Sequence, residues 1–139
     1  TSNAWAYHGL ACLYLKSDPE KAKQFIMEGM ALQRERLSYQ KEGFKILEKC
    51  GAYKEIDEEY KKQTAENQKN GRIQYYYVAA LEKLERNEEA YHLLNDGDGI
   101  DVSDIREGDS DIQSIWESLH EKVYGEKGHL PYYYNFKVN

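Results

Sequence analysis

The feature that most constrains this chain is a self-similarity at a spacing of 34 residues. When the sequence is shifted against itself by that spacing, three consecutive segments align without a gap. Four columns keep apolar or small residues, which indicates pairs of short helices that stack on one another to bury a shared core. The columns are Leu10, Phe44 and Val78; Leu13, Leu47 and Leu81; Ala22, Ile56 and Ala90; and Ile26, Tyr60 and Leu94.

Helical spacing and turn residues predict seven helices. Ser17 and Glu20 have the spacing of a capping box, and Gly51 can end a helix in a left-handed conformation. Asn70 and Gly71 are predicted to end the fourth helix. The helices are predicted near 4–16, 19–33, 36–50, 53–69, 72–85, 88–95 and 111–124.

Two stretches leave alternatives open. The repeat requires a turn between residues 31 and 37, but no glycine or proline stands there, so one long or kinked helix is the alternative. A loop is predicted over 96–109, and a capping helix with a tail over 110–139. The tail is aromatic and is expected to pack back on the molecule, where it could also fill the groove of the repeats.

A 34-residue helix–turn–helix unit resembles the tetratricopeptide repeat family. The segments Glu20-Lys21-Ala22 and Glu88-Glu89-Ala90 look like the second helix of that family, within a match that covers about residues 4–97. The resemblance implies an all-α solenoid of three helix pairs, about 4–35, 36–70 and 71–97, followed by a C-terminal capping helix. The sequence departs from the family pattern where Leu10, Phe44 and Val78 replace its usual small residue.

A narrower resemblance lies in the second half. The block Asp104-Ile105-Arg106-Glu107-Gly108 precedes a helix that contains Trp116. This order resembles the C-terminal end of large bacterial multidomain proteins, in which a domain of unknown function with a suspected carbohydrate link precedes the repeats. The resemblance implies that the chain is a single repeat domain, over 1–139, from a longer protein. Catalysis would then lie upstream, and the upstream domain is one expected partner.

The resemblance also implies a binding surface, because the first helix of each pair lines the concave side of such arrays. On this side, Lys41 and Lys45 could bind a carboxylate, and the rings of Tyr7, Tyr14 and Tyr75 could offer their faces to a ligand. We therefore expect a non-catalytic scaffold that binds a protein or an extended acidic or aromatic peptide. The alternative is that Lys41 and Lys45 simply form a solvated helix face. The predicted set is Tyr7, Ala11, Tyr14, Lys41, Lys45, Glu48, Arg72, Tyr75 and Ala79.

Composition excludes several other classes. The net charge of −6, with cations mixed among acids, disfavours nucleic acid, and no apolar run is long enough to span a membrane. Cys12 and Cys50 lie in helical patterns, so they are predicted to be small buried hydrophobes in a reducing, cytoplasmic compartment. The four histidines have no metal-ligand spacing, so no metal and no cofactor are expected.

Two other functions remain open. An accessory glycan-binding module would use the tyrosine-rich groove, and it requires at least two coplanar exposed rings. A hydrolase would use the acidic cluster 104–111, and it requires two facing carboxylates in one pocket. An internal salt bridge from Arg106 and helix capping by Asp109 and Asp111 are the simpler interpretation of that cluster. The sequence contains no nucleophile elbow or phosphate loop, so no catalytic residue is predicted.

Overall fold

The chain is all-helical over the residues that the structure describes. These are residues 2–97, 99–102 and 112–128 of a computed structural model. They contain eight helices and no strand, which confirms the predicted all-α class. The helices are α1 (Ser2–Tyr14), α2 (Pro19–Leu32), α3 (Leu37–Lys49), α4 (Tyr53–Lys61), α5 (Ala65–Gln68), α6 (Gly71–Lys83), α7 (Asn87–Asn95) and α8 (Ile112–Tyr124).

The helices form two compact units, Thr1–Gln68 and Lys69–Asn139. In the first unit, α1 packs on α2 and α3, α2 packs on α3, and α3 packs on α4. In the second unit, α6 and α8 both pack on α7 and also contact each other. The core of the first unit includes Ala22, Ile26, Met30, Tyr39, Phe44, Leu47 and Ile56, and the core of the second includes Ile73, Val78, Leu81, Ala90, Leu94, Ile112 and Leu119.

The aligned columns are buried in the second and third segments, except at the partly buried Tyr60, but not throughout the first. Phe44, Leu47, Val78 and Leu81 have no exposed surface, whereas Leu10 is 37% and Leu13 is 70% exposed. The reason lies in the composition of α1, which contains no Asp, Glu, Lys or Arg. A helix that is apolar all round can turn either side to the core. Here α1 buries Ala4 and Ala11, whose small side chains allow the close approach of its neighbours.

Two predicted helix ends differ from the structure. The N-cap of α2 is Asp18 rather than Ser17, and its carboxylate accepts a hydrogen bond from Lys21 N at 3.2 Å. Asn70 does not end a helix, because its side chain accepts from Ile73 N at 3.1 Å and caps the start of α6. The prediction for Gly51 is confirmed, since it has φ of +68° directly after α3.

A real turn separates α2 from α3, although no breaker residue stands there. Gln40 is fully buried on α3, and its amide donates to Met30 O at 3.1 Å and to Gln33 O at 2.7 Å. Arg36 N also donates to Gln33 O. These bonds add donors to carbonyl groups at the end of α2, where Met30 O also accepts from Gln33 N. The alternative of one continuous helix is therefore wrong.

The predicted helix 53–69 is divided into α4 and α5. Gln63 lies in the turn between them, and its amide donates to Gln40 Oε1 at 2.7 Å. Thr64 Oγ1 accepts from Asn67 N at 3.0 Å, as the cap of a new helix does. A side-chain bond to another helix and a local cap thus interrupt a segment whose apolar spacing predicted continuity.

The last helix has the predicted apolar stripe, with Ile112, Ile115, Trp116 and Leu119 buried. The loop 103–109, the proposed cap at Ser110 and the tail 129–139 lie outside the described residues. Within the described ranges, no helix has both the length and the apolar character needed to cross a membrane.

Candidate functional site

The first part of the predicted surface is a row of three aromatic rings in the first unit. The rings of Tyr7 and Tyr14 on α1 both pack on the ring of Phe25 on α2. Their centroids lie 6.2 and 5.8 Å from that of Phe25, and their planes are tilted from it by 32° and 31°. Tyr7 and Tyr14 are seven residues apart, so they rise about 10.5 Å along the helix. All three rings are partly exposed, and together they offer an elongated aromatic surface.

Charged groups lie at both ends of this row. The ammonium of Lys21 lies 4.7 Å from the centre of the Tyr14 ring, a cation–π distance. At the other end, a hydrogen bond to the Glu28 carboxylate, together with the negative charge of that group, raises the pKa of Tyr7. The row therefore carries one cation and one anion, about two helical turns apart.

The second part of the predicted surface lies on α3. Lys41, Lys45 and Glu48 are spaced four and three residues apart, so they share one side of the helix, which borders the buried side that carries Phe44. Lys45 is exposed, and Lys41 and Glu48 are partly buried. Burial raises the pKa of the Glu48 carboxyl, whereas the charge of neighbouring Lys49 lowers it to a smaller extent. This side of α3 therefore carries two cations beside a weakened acid.

The predicted residues lie on three helices, α1 and α3 of the first unit and α6 of the second. Tyr7 and Tyr14 contact α2, whereas the two lysines belong to α3. Arg72 and Tyr75 lie on α6 in the second unit, where both are partly buried and the Tyr75 ring meets that of Tyr76 edge-on at 6.0 Å.

A link between α1 and α3 was not predicted from the sequence. His8 Nε2 lies 3.3 Å from Glu42 Oε1, and the two residues are 34 positions apart in the sequence. Trp5 and His8 also contact the ring of Tyr39, at 4.8 and 6.3 Å between centroids. The hydroxyl of Tyr39 donates to the carbonyl of Ala4. Helices α1 and α3 are therefore joined by aromatic and polar contacts.

A buried polar network was also missed, because its members look like surface residues in a sequence. The Glu59 carboxylate is 1% exposed and is paired with Arg34 Nη1 at 2.7 Å and with Lys62 Nζ at 3.3 Å. Asn67 donates to Arg34 O and to Gln63 Oε1, each at 3.3 Å. A shallow depression of about 600 Å³ runs beside it along residues 31–36. Because its acid is neutralised by two cations, the network suits a structural role better than acid–base chemistry.

The second unit contains a cluster of rings around His120. The His120 ring stacks on Trp116 at 4.9 Å with planes 13° apart, and Tyr91 Oη lies 2.9 Å from His120 Nδ1. Tyr124 is 59% exposed and packs against the same histidine. Trp116 is only 3% exposed, and its indole donates to Asn95 Oδ1 at 2.8 Å, which anchors α8 on α7. The coplanar pair of His120 and Trp116 therefore does not present two exposed ring faces to a sugar.

Reactive and metal-binding chemistry finds little support in the described ranges. They contain no group of three His, Cys, Asp or Glu side chains that could hold a metal ion. Cys12 is exposed, which contradicts its predicted burial, and Cys50 is partly buried. Burial raises the pKa of the Cys50 thiol, which disfavours the nucleophilic thiolate. The acidic cluster 104–111 lies outside the described residues.

Comparison with known proteins adds no relative to this description. No protein-family model, no curated protein and no solved structure matches the chain.

Proposed function

We propose that this chain is a non-catalytic helical-repeat scaffold of the tetratricopeptide type, which mediates protein–protein or domain–domain interaction. One observation carries the proposal, namely the burial of equivalent positions 34 residues apart. Ala22, Ile56 and Ala90 are all fully buried, and so are the pairs formed by Phe44 with Val78 and by Leu47 with Leu81. Repeating helix pairs with a common core present their outer sides as extended surfaces for other chains.

The surface that best suits a peptide is the outer side of α3. Lys41 and Lys45 lie one turn apart, a spacing that suits successive carboxylates of an acidic segment. Of these two cations, Lys45 is exposed. The aromatic row formed by Tyr7, Phe25 and Tyr14 adds faces on which aromatic or proline side chains could stack. An extended peptide with acidic and aromatic residues is therefore the proposed ligand.

The experiment is a selection of random phage-displayed dodecapeptides on the wild-type chain, with a parallel selection on the double variant Lys41→Glu/Lys45→Glu. The control variant is Lys54→Glu/Lys61→Glu, which makes the same change of charge at two exposed lysines of α4. Acidic and aromatic peptides should be enriched on the wild type and on the control, and lost on the first variant. Equal enrichment on all three proteins would refute the role of the α3 lysines.

A glycan-binding module is the second candidate, since the rings of the aromatic row are partly exposed, although their planes are tilted by 32° and 31° rather than coplanar. Three partly exposed rings in sequence resemble a platform for the apolar faces of sugars. The test is calorimetric titration with cellohexaose and chitohexaose, using Tyr7→Ala and Tyr14→Ala as site variants and Tyr53→Ala as the control. Heat of binding that only the site variants lose would favour this function over the peptide scaffold.

The remaining parts of the proposal concern context. An upstream domain of the same chain is a possible partner of the scaffold, as the narrower resemblance implies. A hydrolase that uses the cluster 104–111 is the least favoured function, since no described geometry supports it. The two cysteines are free thiols, which is compatible with a reducing, cytoplasmic compartment.

A further inference from the structure

One side of α1 carries large apolar side chains that the described part of the fold leaves partly exposed. Trp5 is 41%, Leu10 is 37% and Leu13 is 70% exposed, and Gly9 lies between them. No Asp, Glu, Lys or Arg occurs before Lys16, although such residues make up 32% of the chain. Large apolar side chains grouped on one helix, without a charge among them, mark a site of interaction rather than a solvated surface.

The chain itself shows what covers the equivalent surface one repeat later. The residues 34 positions further on are Tyr39, Gly43, Phe44 and Leu47 of α3, and every one of them is buried. The same residue type or a similar apolar one is therefore exposed in α1 and enclosed in α3. At Tyr39 and Gly43 this cover comes from a neighbouring helix, and α1 also contacts the Tyr39 ring.

That neighbour is α2, an amphipathic helix with the apolar stripe Ala22, Ile26 and Met30. The Met30 side chain lies so close to Gly43 that a Cβ atom at that glycine would come within 2.6 Å of Met30 Cγ. The Tyr39 ring is likewise packed against Gly29 of α2. Glycine at position 43 is thus the notch that a methionine of the neighbouring helix fills.

At Gly9 the corresponding notch is empty, because a Cβ atom there would meet nothing within 4 Å. The contrast between the two glycines defines the missing occupant. It must be a helix, because helix α2 covers the same pattern in α3. Its contacting stripe must be uncharged, because α1 offers no partner for a charge. It should carry a long, flexible side chain such as methionine at the notch.

We propose that Trp5, Gly9, Leu10 and Leu13 form a docking surface for an amphipathic helix of the α2 kind. The stripe of that helix carries a small residue, an aliphatic residue and a methionine at i, i+4 and i+8, and the methionine inserts over Gly9. This surface is independent of the proposed peptide site, since it uses other residues and a different recognition chemistry. The docking surface rests on the repeat equivalence of the proposed function, but a failure of the α3 peptide site would leave it standing.

The probe is a synthetic peptide of residues 18–33 of this chain, with blocked ends and its own N-cap Asp18. The readout is the fluorescence of Trp5, which is 41% exposed, whereas Trp116 is 3% exposed and is shielded from iodide. Titration of the peptide into the intact chain should shift the emission to shorter wavelength and reduce iodide quenching in a saturable way. A peptide in which Met30 is replaced by lysine should bind at least tenfold more weakly.

Gly9→Leu is the decisive protein variant. The surroundings of Gly9 are open, so the added side chain leaves the fold intact, yet it fills the notch and should weaken peptide binding at least tenfold. Circular dichroism checks that its helix content and melting match the wild type. The variant also separates docking on α1 from exchange of the peptide with the chain's own α2, which Gly9→Leu would not affect.

Three results would overturn the proposal. The first is the absence of any saturable change in Trp5 emission at millimolar peptide. The second is equal binding by the wild type and by Gly9→Leu. The third is a concentration-dependent dimer, measured by sedimentation, that Leu13→Glu abolishes and the peptide does not dissociate, because the occupant would then be a second copy of the chain.

Discussion

Two glycines at equivalent positions provide a matched test of the packing described for the first unit. Gly9 and Gly43 both lie inside 13-residue helices, where alanine is favoured over glycine by about 0.5–1 kcal/mol. Gly9→Ala adds a methyl group in open space, so we expect the free energy of unfolding to rise by about that amount. Gly43→Ala adds the methyl group against Met30, which has to move.

Overpacking of this kind costs about 1–3 kcal/mol, which offsets the gain in helix propensity. Gly43→Ala should therefore lower the free energy of unfolding by about 0.5–2 kcal/mol. The free energies of unfolding of the two variants should therefore differ by about 1–3 kcal/mol, with Gly9→Ala above the wild type and Gly43→Ala below it, although both replace glycine by alanine.

The measurement is urea-induced unfolding followed by circular dichroism and by the fluorescence of Trp5, which belongs to the first unit. The slope against urea must stay unchanged for the comparison to be valid. If Gly43→Ala were stabilising to the same extent as Gly9→Ala, Met30 would not be held against Gly43. The contrast on which the docking surface depends would then be lost.

Three further predictions concern side chains whose partners the structure defines. Burial raises the pKa of Tyr39 from 10.0 to about 12, and the charge of Cys12 raises it to a smaller extent. The neutral hydroxyl therefore contributes about 2–3 kcal/mol to the free energy of unfolding below pH 10, and this contribution is lost as the pH rises to 12. Tyr39→Phe should therefore lose less stability than the wild type between pH 10 and 12, and parallel pH profiles would contradict this. Gln40→Leu removes the amide bonds to Met30 O and Gln33 O and the acceptor of the buried Gln63 amide, so it should lower the free energy of urea unfolding by about 1–3 kcal/mol, and an unchanged midpoint would contradict this. Trp116→Phe removes the bond to Asn95 and should lower the melting temperature of the second unit, while an unchanged melt would mean that the indole does not anchor α8.

Much of the fold was predictable because apolar spacing carries it. The first three helices, the third pair and the stripe of the last helix lie close to their predicted bounds. The orientation of α1 was not predictable, because a helix without charges shows no preferred side in its sequence. The columns that contain Leu10 and Leu13 therefore pointed to a core position, and the structure exposes both residues.

The candidate site was predictable only in part. The rings of Tyr7 and Tyr14 do share one side of α1, since both contact Phe25, and Lys41 and Lys45 do share a side of α3. The position of Phe25 between the two rings depends on how α2 packs on α1, which a repeat alignment does not contain. The role of Gln40 was hidden for a similar reason, since a buried glutamine and an exposed one look the same in a sequence.

The turn between α2 and α3 has a consequence for the order in which the chain folds. Its sequence contains no local stop signal, and part of the turn is held by groups far along the chain, since Asn67 donates to Arg34 O and Glu59 pairs with the Arg34 side chain. Residues 19–49 are therefore free to begin as one continuous helix. Gln40 holds the bend within the hairpin, and the bonds to Asn67 and Glu59 add to it only once α4 and α5 have docked, so we expect the turn to gain part of its stability late in folding.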